Sequence, residues 1–263
     1  GHDDAWNRGA YLAQGLAHCG TCHTPRGLFM QETALDQKGE HYLGGGGIIG
    51  GWQAFNITSD TNSGIGGWSK DQLTQYLGTG NVPGLAQAAG PMNEAVVHSF
   101  SKMTPEDISA IATYVKTVPA VDDGPIRPRS GWGTPATAVD HLRGAVIPAV
   151  AKVTDNPIDP ERIYLGSCAS CHGAAGTGHF GGYYPTLSHN TTVGAANANN
   201  LAQVIINGID RQAKGQTVFM PKFGDVLSNA ETAALVNYLT KQFGNPATQV
   251  SEADIRAIKA QAQ

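Results

Sequence analysis

Two pentapeptides carry the chemistry of this chain: Cys19-Gly20-Thr21-Cys22-His23 and Cys168-Ala169-Ser170-Cys171-His172. Cys-x-x-Cys-His is the spacing at which a c-type haem is attached. Each thiol adds across a haem vinyl group to form a thioether, and the adjacent imidazole becomes the proximal iron ligand. Two intervening residues put both sulfurs on one helical turn, and the histidine that follows then points at the iron. The two motifs use all 4 cysteines, so none is left for a disulfide, a zinc site or a thiolate ligand. A thioredoxin-like redox pair would need a surrounding βαβ pattern, and no strong strand alternation flanks either copy. A four-cysteine zinc site would set its pairs roughly 15–20 residues apart, far closer than positions 19/22 and 168/171. The residues call for two covalently bound haem c groups.

What fills the opposite axial position decides what each iron does. Methionine there raises the potential relative to bis-histidine ligation and completes the coordination sphere. The chain has 4 methionines. Met92, in Gly90-Pro91-Met92-Asn93, and Met220, in Phe219-Met220-Pro221-Lys222-Phe223, are expected in matching loops, each before the closing helix of its half. The expected ligand sets are therefore His23 with Met92 and His172 with Met220. Met103 competes in the first half, but it immediately precedes a helix cap, where an apolar residue serves as a staple. Met30 lies close behind His23 and reads as a packing residue. His18, His41, His98, His141, His179 and His189 read as solvent-facing or hydrogen-bonded side chains rather than ligands. A proximal imidazole also donates its second N–H, commonly to a backbone carbonyl.

The elements that must position these residues repeat. In the first half a short helix over residues 5–16 leads into the motif, and Lys70–Leu77 is a middle helix capped by Ser69, with Gln72 three residues on. Residues 104–117 form a closing helix: Thr104 is the cap, Pro105 sits at the first position, and Asp107 holds the capping-box place. Ile108, Ile111, Ala112 and Val115 then make one apolar face. In the second half Pro160–Gly166 leads into the motif and Asn200–Ile209 is the middle helix. Asn229–Phe243 closes it, capped by Ser228 with Glu231, with Leu235, Leu239 and Phe243 inward. A last short helix follows Ser251. Residues 118–156 hold Pro119, Pro125, Pro128, Pro135 and Pro148 with little periodicity, the mark of a linker or strap. Within it, Arg127 and Arg129 are placed either to pair with haem propionates or to be solvated charges. The expected domains are 1–120 with the first haem, 121–156 as linker, and 157–263 with the second.

Composition sets the remaining bounds. At 263 residues the chain has room for two small domains. A formal net charge of −4 and no basic run argue against nucleic acid as a partner. No stretch approaches the roughly 20 apolar residues that cross a bilayer, so a soluble or membrane-peripheral chain is expected. No signal peptide is evident. Because covalent haem attachment occurs outside the bacterial cytoplasmic membrane, a mature periplasmic form with its leader removed is expected.

The order helix, haem motif, loop, middle helix, methionine loop, closing helix resembles class I cytochrome c. The resemblance implies a mainly α fold of two tandem class I cytochrome c domains joined by an extended Pro-rich linker. In that fold the first and last helices cross beside the haem. Gly9 and Tyr11 supply such a crossing, with Tyr114 and Tyr238 at matching places in the closing helices. Pro185, in Tyr184-Pro185-Thr186-Leu187, resembles the cytochrome c loop whose proline carbonyl receives the proximal imidazole, here His172. No acceptor is assigned for His23.

More specifically, the first half resembles the multihaem cytochrome c subunits of bacterial membrane-associated alcohol, gluconate, sugar and aldehyde dehydrogenases. The resemblance rests on Arg8-Gly9-Ala10-Tyr11-Leu12, His18 to Arg26, Asn56-Ile57-Thr58-Ser59-Asp60, Gly64 to Ser69 and Gly90-Pro91-Met92. In the second half, Cys168 to Gly173 and Met220 to Gly224 fit the last haem domain of such subunits. Members typically carry three haem domains, and this chain matches the second and third. It departs from them in Ala54-Phe55-Asn56, where a proline usually precedes the asparagine. The resemblance implies an electron relay, not an enzyme. Single electrons would come from a dehydrogenase catalytic subunit and pass to quinone, an oxidase or another cytochrome. The competing reading is a dihaem enzyme of the cytochrome c peroxidase or thiosulfate dehydrogenase type. A peroxidase needs an iron whose methionine is absent or displaced. A cysteine-ligated thiosulfate dehydrogenase needs a further cysteine, which this chain lacks.

Overall fold

The computed structural model describes residues 2–136 and 158–261. Helix α1 (Asp4–Tyr11) starts where the Asp3 side chain accepts the Trp6 N–H, and a π-helical turn, Leu12–Leu16, carries the chain on toward the first motif. The motif is itself a single turn, α2 (Gly20–His23). A long loop follows, broken only by the hairpin β1 (Ile48–Ile49) and β2 (Trp52–Gln53). Helix α3 (Lys70–Thr79) then begins in the complete Ser69–Gln72 capping box and ends at left-handed Gly80. A second small hairpin, β3 (Asn81–Val82) and β4 (Ala86–Gln87), leads to α4 (Gly90–His98). Helix α5 (Pro105–Val115) closes the first half.

The second half opens with α6 (Pro160–Ser167), and its motif is the single turn α7 (Ala169–His172). It continues through α8 (Asn199–Asn207) and the hairpin β5 (Ile209–Ala213) and β6 (Gln216–Met220). Helix α9 (Asn229–Phe243) has its Ser228–Glu231 capping box closed in both directions, and α10 (Glu252–Gln261) follows. The protein is mostly helical, as expected, but among the described residues three two-stranded hairpins were not anticipated. The turns of two of them explain their formation. Gly50-Gly51 and Lys214-Gly215 are two-residue turns with positive φ at both positions, the geometry that matches strand twist in a tight hairpin.

Helix α1 crosses α5 at contact distance. A Cβ on Gly9 would stand 2.0 Å from the Ala110 carbonyl oxygen, so only glycine lets the two backbones approach this closely. Trp6 meets buried Tyr114 edge-on at 5.2 Å. Asp107 leaves its half of the capping box open and instead takes two hydrogen bonds from Arg8, at 2.7 and 2.9 Å, across the same crossing. In the second half no glycine occupies the matching place. There Tyr164 fills the contact between α6 and α9 and packs on Phe243 at 5.4 Å. Gly9→Ala is expected to force the α1–α5 contact apart at a cost of about 1–3 kcal/mol, read as a lower melting temperature at unchanged haem content.

Two hydrophobic cores result. The first gathers Leu12, Leu43, Leu73, Val96, Ile108 and Ile111, and the second Leu201, Ile205, Leu235, Leu239, Phe243 and Ile255. The halves are also stitched together. Ala213, from the β5–β6 hairpin, is buried in the first core. The side-chain amide of Asn200 completes the edge of β2, accepting the Gln53 N–H at 2.7 Å and donating to the Gln53 carbonyl at 3.0 Å. The chain leaving α5 runs as a strap, with Val121 O accepting from Asn56 Nδ2 and Ala136 N donating to Ala175 O. The later part of the Pro-rich segment, with Pro148 and His141, lies outside the described residues.

Candidate functional site

Each Cys-x-x-Cys-His turn opens onto an apolar cavity. Cys19, Cys22 and His23 line one of about 360 Å³, walled by Trp52, Phe55, Trp68 and Tyr76 among others. Met92 lines the same cavity. It stands not in a loop, as expected, but in the first turn of α4, because left-handed Gly90 turns the chain and Pro91 suits the start of a helix. Cys168 and His172 line two smaller adjoining cavities of about 80 and 70 Å³, and Cys171 lines one of them. Met220 borders both. It too departs from the expected loop, being the last residue of β6.

Both motif histidines are held by one ring nitrogen. His23 Nδ1 lies 2.7 Å from the carbonyl oxygen of Phe55 and His172 Nδ1 lies 2.9 Å from that of Pro185. Burial lowers the pKa of each imidazole, opposed in each by that carbonyl. A neutral ring whose Nδ1–H is donated leaves the Nε2 lone pair free for a metal. Burial also pushes the Cys19 thiol up to about 12 and the Cys168 thiol to about 11. Two thiols, a neutral imidazole of fixed tautomer, an apolar cavity and a thioether form a donor set that fits a covalently attached haem. Phe55 supplies its carbonyl although it is not a proline, since a carbonyl acceptor depends on the path of the backbone and not on the side chain.

The competing methionines separate by placement. Met103 packs against the first core away from the cavity, and Met30 is exposed at a loop tip. Met103→Leu is therefore expected to leave the visible spectrum unchanged, a check by absorbance in both oxidation states. Of the strap arginines, Arg129 lines the first cavity with its guanidinium over the Phe55 ring at 3.9 Å, and burial lowers its pKa to about 10. Arg127 instead lies over Trp132 at 4.4 Å. His18 lines the first cavity beside Cys19. His98 pairs with Glu94, and His189 Nδ1 lies 3.1 Å from the Ser130 carbonyl oxygen. Sequence reasoning missed the second half's share in the first cavity, which Thr191, Thr192, Asn200 and Val204 help to line. Contacts so distant in sequence leave no local signal.

Comparison with known proteins agrees with this chemistry. Residues 155–239 match the family model described as cytochrome C oxidase, cbb3-type, subunit III. The chain is 38% identical to the fructose dehydrogenase cytochrome subunit of Gluconobacter japonicus, over 98% of this chain and 53% of that protein. It is 33% identical to the gluconate 2-dehydrogenase cytochrome c subunit of Pantoea cypripedii, over 98% of this chain and 56% of the relative. It is 35% identical to the cytochrome c subunit of alcohol dehydrogenase (quinone) of Gluconobacter oxydans (strain 621H), over 96% and 51%. The chain thus spans about half the length of these relatives. Among the described residues no helix is long and apolar enough to cross a membrane.

Proposed function

We propose that this chain, a relative of the cytochrome c subunits of alcohol, gluconate and fructose dehydrogenases, relays single electrons through two covalently bound haem c groups. The groups belong to two tandem class I cytochrome c domains, 1–120 and 157–263, joined by the Pro-rich segment 121–156. Electrons come from a dehydrogenase catalytic subunit and leave to quinone or another respiratory acceptor, an oxidase or a cytochrome, at the periplasmic face of the membrane. One observation carries the reading: each Cys-x-x-Cys-His turn shares a cavity with a methionine, Met92 in one case and Met220 in the other. The chain acts as an electron-transfer subunit rather than as the enzyme.

When bound, haem supplies an iron that changes charge by one electron with little rearrangement. The protein's residues do the rest. Cys19, Cys22, Cys168 and Cys171 would tether the two groups. His23 and His172, oriented by the carbonyls of Phe55 and Pro185, would offer Nε2 to the iron. Met92 and Met220, which line the same cavities, would offer a thioether, a ligand that raises the potential relative to a second histidine. Trp52, Trp68, Tyr76 and Ile65 give the first cavity an apolar wall. The reading is tested by the mass of the mature protein, which should exceed the chain mass by two haems. A visible spectrum of two low-spin centres that carbon monoxide does not alter should accompany it. One haem, or a large carbon monoxide shift, would contradict the reading.

A further inference from the structure

The cavities beside the two motifs share a wall. Gln87, Thr192 and Val204 line both the larger cavity of the first motif and one cavity of the second, and Gln87 lines the other as well. Gln87 is the last residue of β4, so one amide side chain of the first half stands between the two sites. It is fixed from the second half. Arg211, in β5, donates from one terminal nitrogen to Gln87 Oε1 and from the other to the carbonyl oxygen of Ala88, the latter at 2.6 Å. The side chain reaches there past Gly80, where any Cβ would stand 2.8 Å from its Nε.

Arg211 is only 2% exposed. Its hydrogen bonds go to neutral acceptors, and among the described residues no carboxylate pairs with it. An arginine in such surroundings stays protonated, and burial without a counter-ion is unfavourable unless something offsets it. Nor is its field confined to the wall. Burial raises the pKa of Tyr76, a residue of the first cavity, while Arg211 and Arg129 act in the opposite direction.

We infer that Arg211 is a positioning and charge-setting residue of the wall shared by the two haem sites: it holds Gln87 between them, and its guanidinium charge raises the affinity of both for an electron. The inference rests on the two-haem reading above. A site that gains an electron becomes more negative by one charge, so a fixed cation nearby favours the reduced state. At the low effective dielectric of a protein interior the effect persists across the wall.

The test is a spectroelectrochemical titration of the holoprotein that resolves both midpoint potentials, in the wild type, Arg211→Lys, Arg211→Met and Gln87→Glu. Arg211→Met removes the charge, and Gln87→Glu neutralises it in place. Each is expected to lower both reduction equilibria by about tenfold, which is about 59 mV for one electron. Arg211→Lys keeps the charge and is expected to leave both potentials near the wild type, which a merely structural role would not do. Equal shifts in the Lys and Met variants would overturn the inference, as would movement of one midpoint alone. Should Arg211→Met not fold, unmoved potentials in Gln87→Glu would also overturn it. A wild-type mass short of two haems sinks the two-site reading itself, and with it the shared wall. Two haems with potentials indifferent to the charge sink only the role given to Arg211.

Discussion

Cys19→Ala/Cys22→Ala should yield a chain that carries one haem and has lost much of its helical structure, whereas Cys168→Ala/Cys171→Ala should lose one haem and remain largely folded. The asymmetry follows from volume. Without its haem the first half keeps a gap of about 360 Å³ beside its core, and unfilled volume destabilises the side chains around it in a domain whose whole stability is only about 5–15 kcal/mol. The second half closes down to cavities of about 80 and 70 Å³, so its side chains already pack on one another and less volume is left open. The second core is also braced by α10, through buried Ile255 and Ile258. Mass spectrometry counts the haems, and circular dichroism at 25 °C with a thermal melt reads the fold. Equal loss of helix in both double variants would contradict the volume argument.

Met92→Ala and Met220→Ala should each open one iron to carbon monoxide and leave the other closed. Replacement by histidine should keep each site closed but lower its potential. The axial ligand is among the stronger levers on haem potential, over a span of about 0.8 V, so a fall on the order of 0.1 V is expected for each Met→His variant. The site altered should be the one whose cavity holds the residue, which redox titration of the two single variants separates. Alanine at Met103 or Met30 should do neither. A carbon monoxide response in Met103→Ala but not in Met92→Ala would reassign the first ligand.

What the sequence disclosed and what it withheld divide along physical lines. Helix ends were readable because capping is chemistry among neighbours: Ser69 with Gln72 and Ser228 with Glu231 form both expected bonds, and Thr104 forms one of the two expected at α5. The apolar faces of α5 and α9 were readable because burial imposes a period on one helix at a time. Met92 and Met220 line the cavities of their motifs, but the elements bearing them were not legible. Lys214-Gly215 is a turn signal that lies outside the usual Asn-Gly and Asp-Gly pairs, and α4 begins without a side-chain cap. The carbonyl acceptor from Pro185 was legible through its motif. That from Phe55 was not, since it depends on where the loop before it is led. Arg211 gave no sign at all. Its role depends on Ala88 and Gln87, more than 120 positions away in sequence, and nothing in Asp210-Arg211-Gln212 distinguishes it from a solvated strand residue.

The β5–β6 hairpin has a consequence for anyone who would study the halves apart. Its turn-proximal end plants Ala213 in the core of the first half, and its far end presents Met220 to the second motif. A fragment ending at residue 136 would keep Cys19, Cys22, His23 and Met92 yet lack Thr192, Asn200 and Val204 from its cavity wall. Its potential would be that of a more hydrated centre, and the potentials of two separate fragments would not reproduce those of the intact chain. Each half is part of the solvent of the other.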